Sequence, residues 1–292
     1  MQSSRSQRWR ERRQVFVNDT TTIRKADYAV DRISCMREAK PFIEAHHYAG
    51  TMPASRASFG LFKRGKGGRS LLVGVSTISV PVNNASIPLR TGLEPRHGAD
   101  LGRFVLLDDV PCCAETFFLS QTIRLLRQQK PEILALVAYS DPVRCIAANG
   151  QIILTGHVGQ IYGLADSRYV GRSSPRTDFL LPDGTILSPR ALSKLRTENT
   201  GAAYAERQIR QATNEARATG ETPVQWLERL ERTRLLQRRR HPGNHVYVFP
   251  LTLAARLASK SKPSLPYPTL DRTLTGPGDV TAMPLFNGQR RT

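Results

Sequence analysis

The 292-residue chain has no apolar run near the 18 or so residues that a membrane-crossing helix requires, which excludes a helical membrane span. Its start, with Arg5, Arg8, Arg10, Arg12 and Arg13 close together, lacks the apolar stretch of a secretory signal. Cysteine is scarce. The four at 35, 112, 113 and 145 form no Cys-x-x-Cys pair, and the adjacent Cys112 and Cys113 are poorly placed to share a metal or bond each other. They read as reduced, intracellular thiols without a zinc site. Neither a Gly-x-Ser-x-Gly elbow nor a phosphate-binding P-loop is present.

Acidic residues are also few. Asp and Glu number 24 against 43 Lys and Arg, a formal charge of +19. Self-repulsion of that size is most simply explained by a polyanionic partner, because each phosphate neutralised releases condensed counterions. A solubility surface or an anionic membrane would use the same charge; nucleic acid is the preferred partner.

Hydropathy patterning then divides the chain. Residues 1–24 form an Arg-, Ser- and Thr-rich arm with no apolar period, expected to be disordered. Residues 38–48 read as a helix with Pro41 in its first turn. Strands at 57–63 and 70–80 read as a hairpin; the glycines between them link strand to strand, so they do not form a phosphate loop. Residues 81–99 read as a loop, 101–108 as a strand, 115–129 as an amphipathic helix and 133–138 as a buried strand. After a short helix bearing Tyr162 and a strand around Tyr169, a hairpin-like stretch spans 179–187. Helical stretches at 202–218 and 222–237, a short strand ending at Pro250 and a Pro/Ser/Thr-rich tail follow. The expectation is an α+β fold, a mixed central sheet flanked by helices, with its core at 25–187. A basic helical extension at 188–257 and a disordered tail at 258–292 complete it.

Four clusters offer chemistry. His46-His47-Tyr48 closes a helix, where imidazoles serve as bases, metal ligands or helix caps. Arg103 interrupts an apolar strand, so it meets an internal carboxylate or a ligand anion. Asp141, at a strand tip, orients a histidine, holds a metal, accepts from an amine or caps the turn before Pro142. Tyr162 follows Gly156 and Gly159, and either donates a proton or buries its ring. Asp108, Asp109 and Glu115 with Asp141 suit a two-metal cluster less well than helix and strand caps. His241 and His245 have zinc-like spacing without cysteines nearby, which favours hydrogen-bonding or phosphate contact.

Six stretches together resemble the Mom family of bacteriophage DNA-modification proteins. They are Ile43-Glu-Ala-His-His-Tyr-Ala-Gly50, Leu101-Gly-Arg-Phe-Val-Leu-Leu-Asp-Asp109 and Glu115-Thr-Phe-Phe-Leu-Ser-Gln-Thr-Ile-Arg-Leu-Leu126. Further along come Ala138-Tyr-Ser-Asp-Pro142, Gly156-His-Val-Gly-Gln-Ile-Tyr162 and His241-Pro-Gly-Asn-His-Val-Tyr-Val-Phe-Pro250. The resemblance implies an acetyltransferase-like fold and a transferase that adds a carbamoylmethyl group to adenine N6 of double-stranded DNA, evading restriction in the cytoplasm of a bacterial host. It implies catalytic roles for His46, His47, Tyr48, Asp141 and Tyr162, and cofactor contacts from Arg103 and Ser120. Arg196, Arg207, Arg210, Arg238, Arg239, Arg240 and His245 are the expected DNA contacts. The small-molecule group donor is left open between acyl-coenzyme A and another acyl or alkyl donor, as is a metal on His46, His47 and Asp141. One departure bears on the donor: where acetyltransferases have a glycine-rich pyrophosphate loop, this chain reads Val110-Pro-Cys-Cys-Ala-Glu115. A DNA-binding protein without catalysis and an N-acetyltransferase for another amine are the alternative readings.

Overall fold

The computed structural model describes residues 5–10, 13–18, 22–47, 49–65, 69–111, 113–150, 152–154 and 156–268. Two compact units are interleaved along the chain. The first comprises residues 1–142, 157–172 and 244–292, and the second residues 143–156 and 173–243. The boundary expected at 187 is therefore replaced by four chain crossings, because the strand after the helical region returns to the first unit's sheet.

The first unit begins with β1 (Arg5–Arg10) and β2 (Arg13–Asn18), paired antiparallel, where a disordered arm was expected. The two strands are mainly polar, which hides this pairing from an apolar count. Next come β3 (Tyr28–Ile33) and a π-helical turn, Cys35–Ala39, leading into α1 (Lys40–His46). Ser34 caps the turn: its hydroxyl accepts from Arg37 N–H, and its own N–H donates to the Glu38 carboxylate at 2.8 Å. The hairpin is β4 (Ser55–Arg64) and β5 (Ser70–Ser79).

Residues 81–99 are not the expected loop. They contain α2 (Ser86–Thr91), a six-residue helix whose Pro88 disguises it in sequence, and a 3₁₀ turn at Pro95–His97. The remaining elements are β6 (Gly98–Leu106), α3 (Ala114–Gln129), β7 (Ala135–Ser140), α4 (Gln160–Leu164), β10 (Arg168–Arg172), β14 (His245–Pro250) and α8 (Leu253–Ala258). The sheet order is β10-β14-β7-β6-β5-β4-β3, antiparallel throughout except for the β6–β7 pair.

Alternation along β7 and β14 shows how two apolar layers arise from period two. Leu136, Ala138, Tyr247 and Phe249 face the core under α3, with Phe118, Leu119 and Leu126. Val137, Val246 and Val248 point the other way, onto Ile87 of α2. The fold class is thus as expected, a mixed α+β sheet flanked by helices. Residues 258–268 differ from the expected tail: Leu265 N–H donates to Tyr169 O at 2.9 Å, and the Tyr267 ring stacks on Tyr247. Residues 269–292 lie outside the described residues.

The second unit holds two short strands that sequence reading did not identify, β8 (Cys145–Ile146) and β9 (Ile152–Leu154). A three-stranded antiparallel sheet is built from β11 (Arg176–Leu180), β12 (Ile186–Leu187) and β13 (Gln237–His241). Three helices, α5 (Pro189–Arg196), α6 (Ala202–Thr213) and α7 (Pro223–Arg232), pack around the fully buried Trp226 with Leu195, Ile209 and Leu230. Two of the three starts are signalled chemically. Ser188 caps α5, and Thr222 with Gln225 forms a reciprocal capping box on α7, both followed by proline. Among the described residues no helix is long and apolar enough to cross a membrane.

Candidate active site in the first unit

The central strands share only three residue pairs, Gly98↔Ala135, Ala99↔Leu136 and Asp100↔Val137. Yet β6 runs on to Leu106 and β7 to Ser140. A register shift opposite Thr77 and Ile78, at Gly102, accompanies this parting. The sheet therefore opens at the C-terminal ends of its two parallel strands, where rigid backbone fixes side chains around a gap.

Asp141 follows β7 at that opening. Its carbonyl accepts the His157 N–H at 2.8 Å, which lays the segment before α4 against the strand end. Gly159 makes the turn possible with a φ of +66°; a Cβ there would sit 2.7 Å from the Tyr162 ring and 3.0 Å from Ser140 Oγ. The Tyr247 hydroxyl donates to Val158 O from beneath.

Three histidines converge electrostatically on this segment. Burial, then the charges of Arg103 and His157, push His47 down to about 3. Burial lowers His157, while the Asp141 carboxylate pulls it the other way. Burial first, then Arg172 and His157, bring His245 to about 4 against the opposing pull of Asp141. All three imidazoles are consequently neutral near pH 7, the form that accepts a proton. His47 Nδ1 accepts the Ala49 N–H at 3.1 Å, and His245 Nδ1 lies 2.8 Å from the Tyr169 hydroxyl.

Arg103 is tied to the loop that follows α1. Its Nε donates to Thr51 O at 2.9 Å and a terminal nitrogen to Thr51 Oγ1 at 3.2 Å, pinning the loop that follows His47. Ser120 has different surroundings: it is exposed on α3, and its hydroxyl donates to Phe117 O of the same helix. The ring of His46 packs on Phe42 at 4.7 Å, whereas its neighbour His47 is buried beside Arg103 and His157. Tyr162 is buried, its ring 5.0 Å from Tyr247 and edge-on to Phe249. Tyr48 lies outside the described residues. Among the described residues no three His, Cys, Asp or Glu side chains come together as metal ligands.

The start of α3 does not fit the pyrophosphate of coenzyme A. Pro111 has no N–H, Ala114 N–H turns back to Pro111 O, and Glu115 brings a negative charge into the first turn.

Of the expected DNA contacts, Arg196, Arg207, Arg210 and Arg240 are exposed in the second unit. Arg238 is exposed too, but its guanidinium pairs with Glu231 at 2.9 Å and, like that of Arg196, lies over the Phe179 ring. Arg239 is structural: it holds the buried Asp178 at 3.0 Å and Arg144 O at 2.8 Å. His245 belongs to the first unit's sheet, 3% exposed, so a phosphate contact is replaced by a place beside His157 and Asp141. His157 is not distinguished by the sequence beyond its place between Gly156 and Gly159, both of which take positive φ in the structure.

Two solved structures are similar to the chain. One is a tandem GNAT protein from the clavulanic acid biosynthesis pathway, at 9% identity over 77% of this chain and 99% of that one, with a TM-score of 0.38. The other is malonyl-CoA decarboxylase from Rhodopseudomonas palustris, at 12% identity over 81% of this chain and 59% of that one, with a TM-score of 0.30. Comparison with curated proteins gave no match. Residues 27–269 match the Mom protein family, a span that takes in both units and every part of the opening between β6 and β7, and the chain belongs to that family of DNA-modification proteins.

Proposed function

We propose that this protein is a transferase that modifies adenine in double-stranded DNA at N6, adding a carbamoylmethyl or related acyl or alkyl group that protects the DNA from restriction. The observation that carries the reading is the backbone bond that holds His157 against Asp141 at the opening of the sheet, with the charges of His47 and His245 felt there as well. Adenine N6 is a weak nucleophile because its lone pair is delocalised into the ring. An enzyme must position it, take a proton from it and present an activated donor. In a duplex the base has to leave the stack to reach such a site, at a cost of a few kcal/mol.

Asp141 is the group we assign to the N6 proton, with His157 held beside it by the backbone bond to Asp141 O. As the new bond to N6 forms, the donor's leaving group departs with its electron pair and the N6 proton passes to this pair. His47 supplies a second neutral imidazole, held in place by Ala49 N–H and by the loop that Arg103 secures. Tyr162 acts by packing, supporting the turn at Gly159. The donor in this scheme is a molecule other than coenzyme A, because the α3 start does not suit a pyrophosphate. Affinity for the duplex comes from the exposed arginines of the second unit, Arg196, Arg207, Arg210, Arg238 and Arg240.

Restriction challenge tests the reading. DNA from cells expressing the protein is expected to resist endonucleases that cut at adenine-containing sites. Complete cutting of that DNA, with the protein present and folded, would overturn it.

A further inference from the structure

The outward face of α6 differs from every other helix face in the second unit. Ala203, Tyr204, Arg207, Arg210 and Gln211 are all exposed, at i, i+1, i+4, i+7 and i+8, while Ala205 and Ile209 point into the core. The stripe is continuous over the helix and carries no acid. Glu206, the helix's one carboxylate, lies off it and faces Arg217 at 3.7 Å. By contrast, α7 exposes Glu228 beside Arg232, and the exposed Arg196 of α5 is spread over Phe179.

The approach to α6 is held rigid. Residues 197–201 turn tightly from α5 to α6, with Glu198 at φ +50° and Gly201 at φ +99°. Arg217 fastens that turn through Glu198 at 2.7 Å. The segment after α6 is fastened as well: Arg229 of α7 binds Glu215 and Glu221, each at 2.8 Å. A helix fixed at both ends and bare along one face is presented to something outside the unit.

We propose that α6 reads base edges in the major groove of duplex DNA, and that the basic residues of α5, Arg190 foremost, hold the flanking phosphates. The proposal rests on the DNA-modification reading above and extends it, from phosphate affinity to choice of sequence. The major groove admits one α-helix, and its base edges are matched by the two residue types on the stripe. Arginine donates in a fork to guanine O6 and N7, and glutamine accepts from adenine N6 and donates to N7 on the same major-groove edge. Two alanines at the start, Ala202 and Ala203, let the helix backbone approach closely, and Tyr204 offers a ring to a thymine methyl. The order of helix, glycine-containing turn and second helix is shared with motifs whose second helix enters the groove, the turn here being five residues long. The sequence context of the modified adenine is thus set in the second unit, apart from the chemistry in the first.

The test is selection of bound duplexes from a randomised library by the full-length protein and three variants, with circular dichroism confirming their fold. The wild type is expected to enrich a short motif. Arg207→Lys, which keeps the charge but loses the fork, and Gln211→Ala should each relax the preference at one position by about 10-fold while keeping affinity for unselected DNA. Arg190→Ala should weaken binding to every duplex alike and leave the motif unchanged. The proposal is overturned if Arg207→Lys and Gln211→Ala retain the wild-type motif, or if the wild type binds duplexes without preference. If the wild type binds no duplex at all, the DNA reading itself fails and α6 with it.

Discussion

The backbone N–H of His157 donates to the carbonyl oxygen of Asp141 at 2.8 Å, joining two stretches that lie sixteen positions apart in the chain. It holds an imidazole that burial keeps neutral beside a carboxylate that draws protons towards it. Asn at 141 keeps the backbone bond and removes the charge. Asp141→Asn should therefore lower the His157 pKa further, and that of His245 with it, since Asp141 raises both. Imidazole proton shifts followed by NMR across pH check this. Titration curves that coincide with wild type would separate Asp141 from the histidines.

Two kinds of buried group give opposite slopes to stability against pH. His47, at about 3, and His245, at about 4, bind protons more readily in the unfolded chain, whose histidines titrate near 6.5. Their contribution is present above about 6.5 and is lost as pH falls through about 4 for His245 and about 3 for His47. Asp100, raised by burial to about 7 from 3.8, behaves in reverse: the folded chain holds a proton that the unfolded chain releases. Its contribution is present below 3.8 and is lost as pH rises through 7. Asp100→Asn deletes the opposing slope, so stability should climb more steeply from pH 4 to 7, by up to about 1.4 kcal/mol per pH unit. Urea midpoints at several pH values measure it, and parallel curves for variant and wild type would contradict the assignment.

Gly159→Ala should cost about 1–3 kcal/mol, because the residue sits at φ +66° and its Cβ would strike the Tyr162 ring at 2.7 Å. Thermal melting reads the loss directly. A variant as stable as wild type would mean that the segment before α4 can turn without glycine.

The small-molecule donor should not be acetyl-coenzyme A. The helix-terminal field is worth roughly 0.3–1 kcal/mol to an exposed anion. At α3 it is opposed by Glu115, and Pro111 contributes no donor. Calorimetry with the isolated protein is expected to show weak or no binding. A micromolar or tighter Kd, competed by desulfo-coenzyme A, would contradict the reading of this loop.

Strong periodicity made most of the central sheet legible before any coordinates. The alternation at 57–63 and 70–80 and the apolar stripe of 115–129 became β4, β5 and α3 with shifts of a few residues. What escaped has local physical causes. In α2, Pro88 and the flanking Asn83-Asn84 imitate a loop, and the helix is held by burying Ile87 against the sheet. His245 looked like a surface residue next to Arg238-Arg-Arg240, because sequence adjacency does not show that the chain crosses from one unit to the other at 243–244. Arg103 stands out in an apolar strand, but Thr51, which it binds, is 52 residues away and no spacing rule connects them. The Asp141–His157 bond is likewise long-range, visible in sequence only as two motifs in the right order.

The central claim is that this site modifies adenine in DNA, and nucleoside mass spectrometry tests it most directly. DNA from host cells expressing the wild-type protein should contain a heavier deoxyadenosine species. Cells expressing Asp141→Asn, folded and bound to duplex DNA as tightly as wild type, should contain only ordinary deoxyadenosine. Unmodified adenine throughout the wild-type DNA, or modified adenine persisting in the Asp141→Asn DNA, would contradict the account.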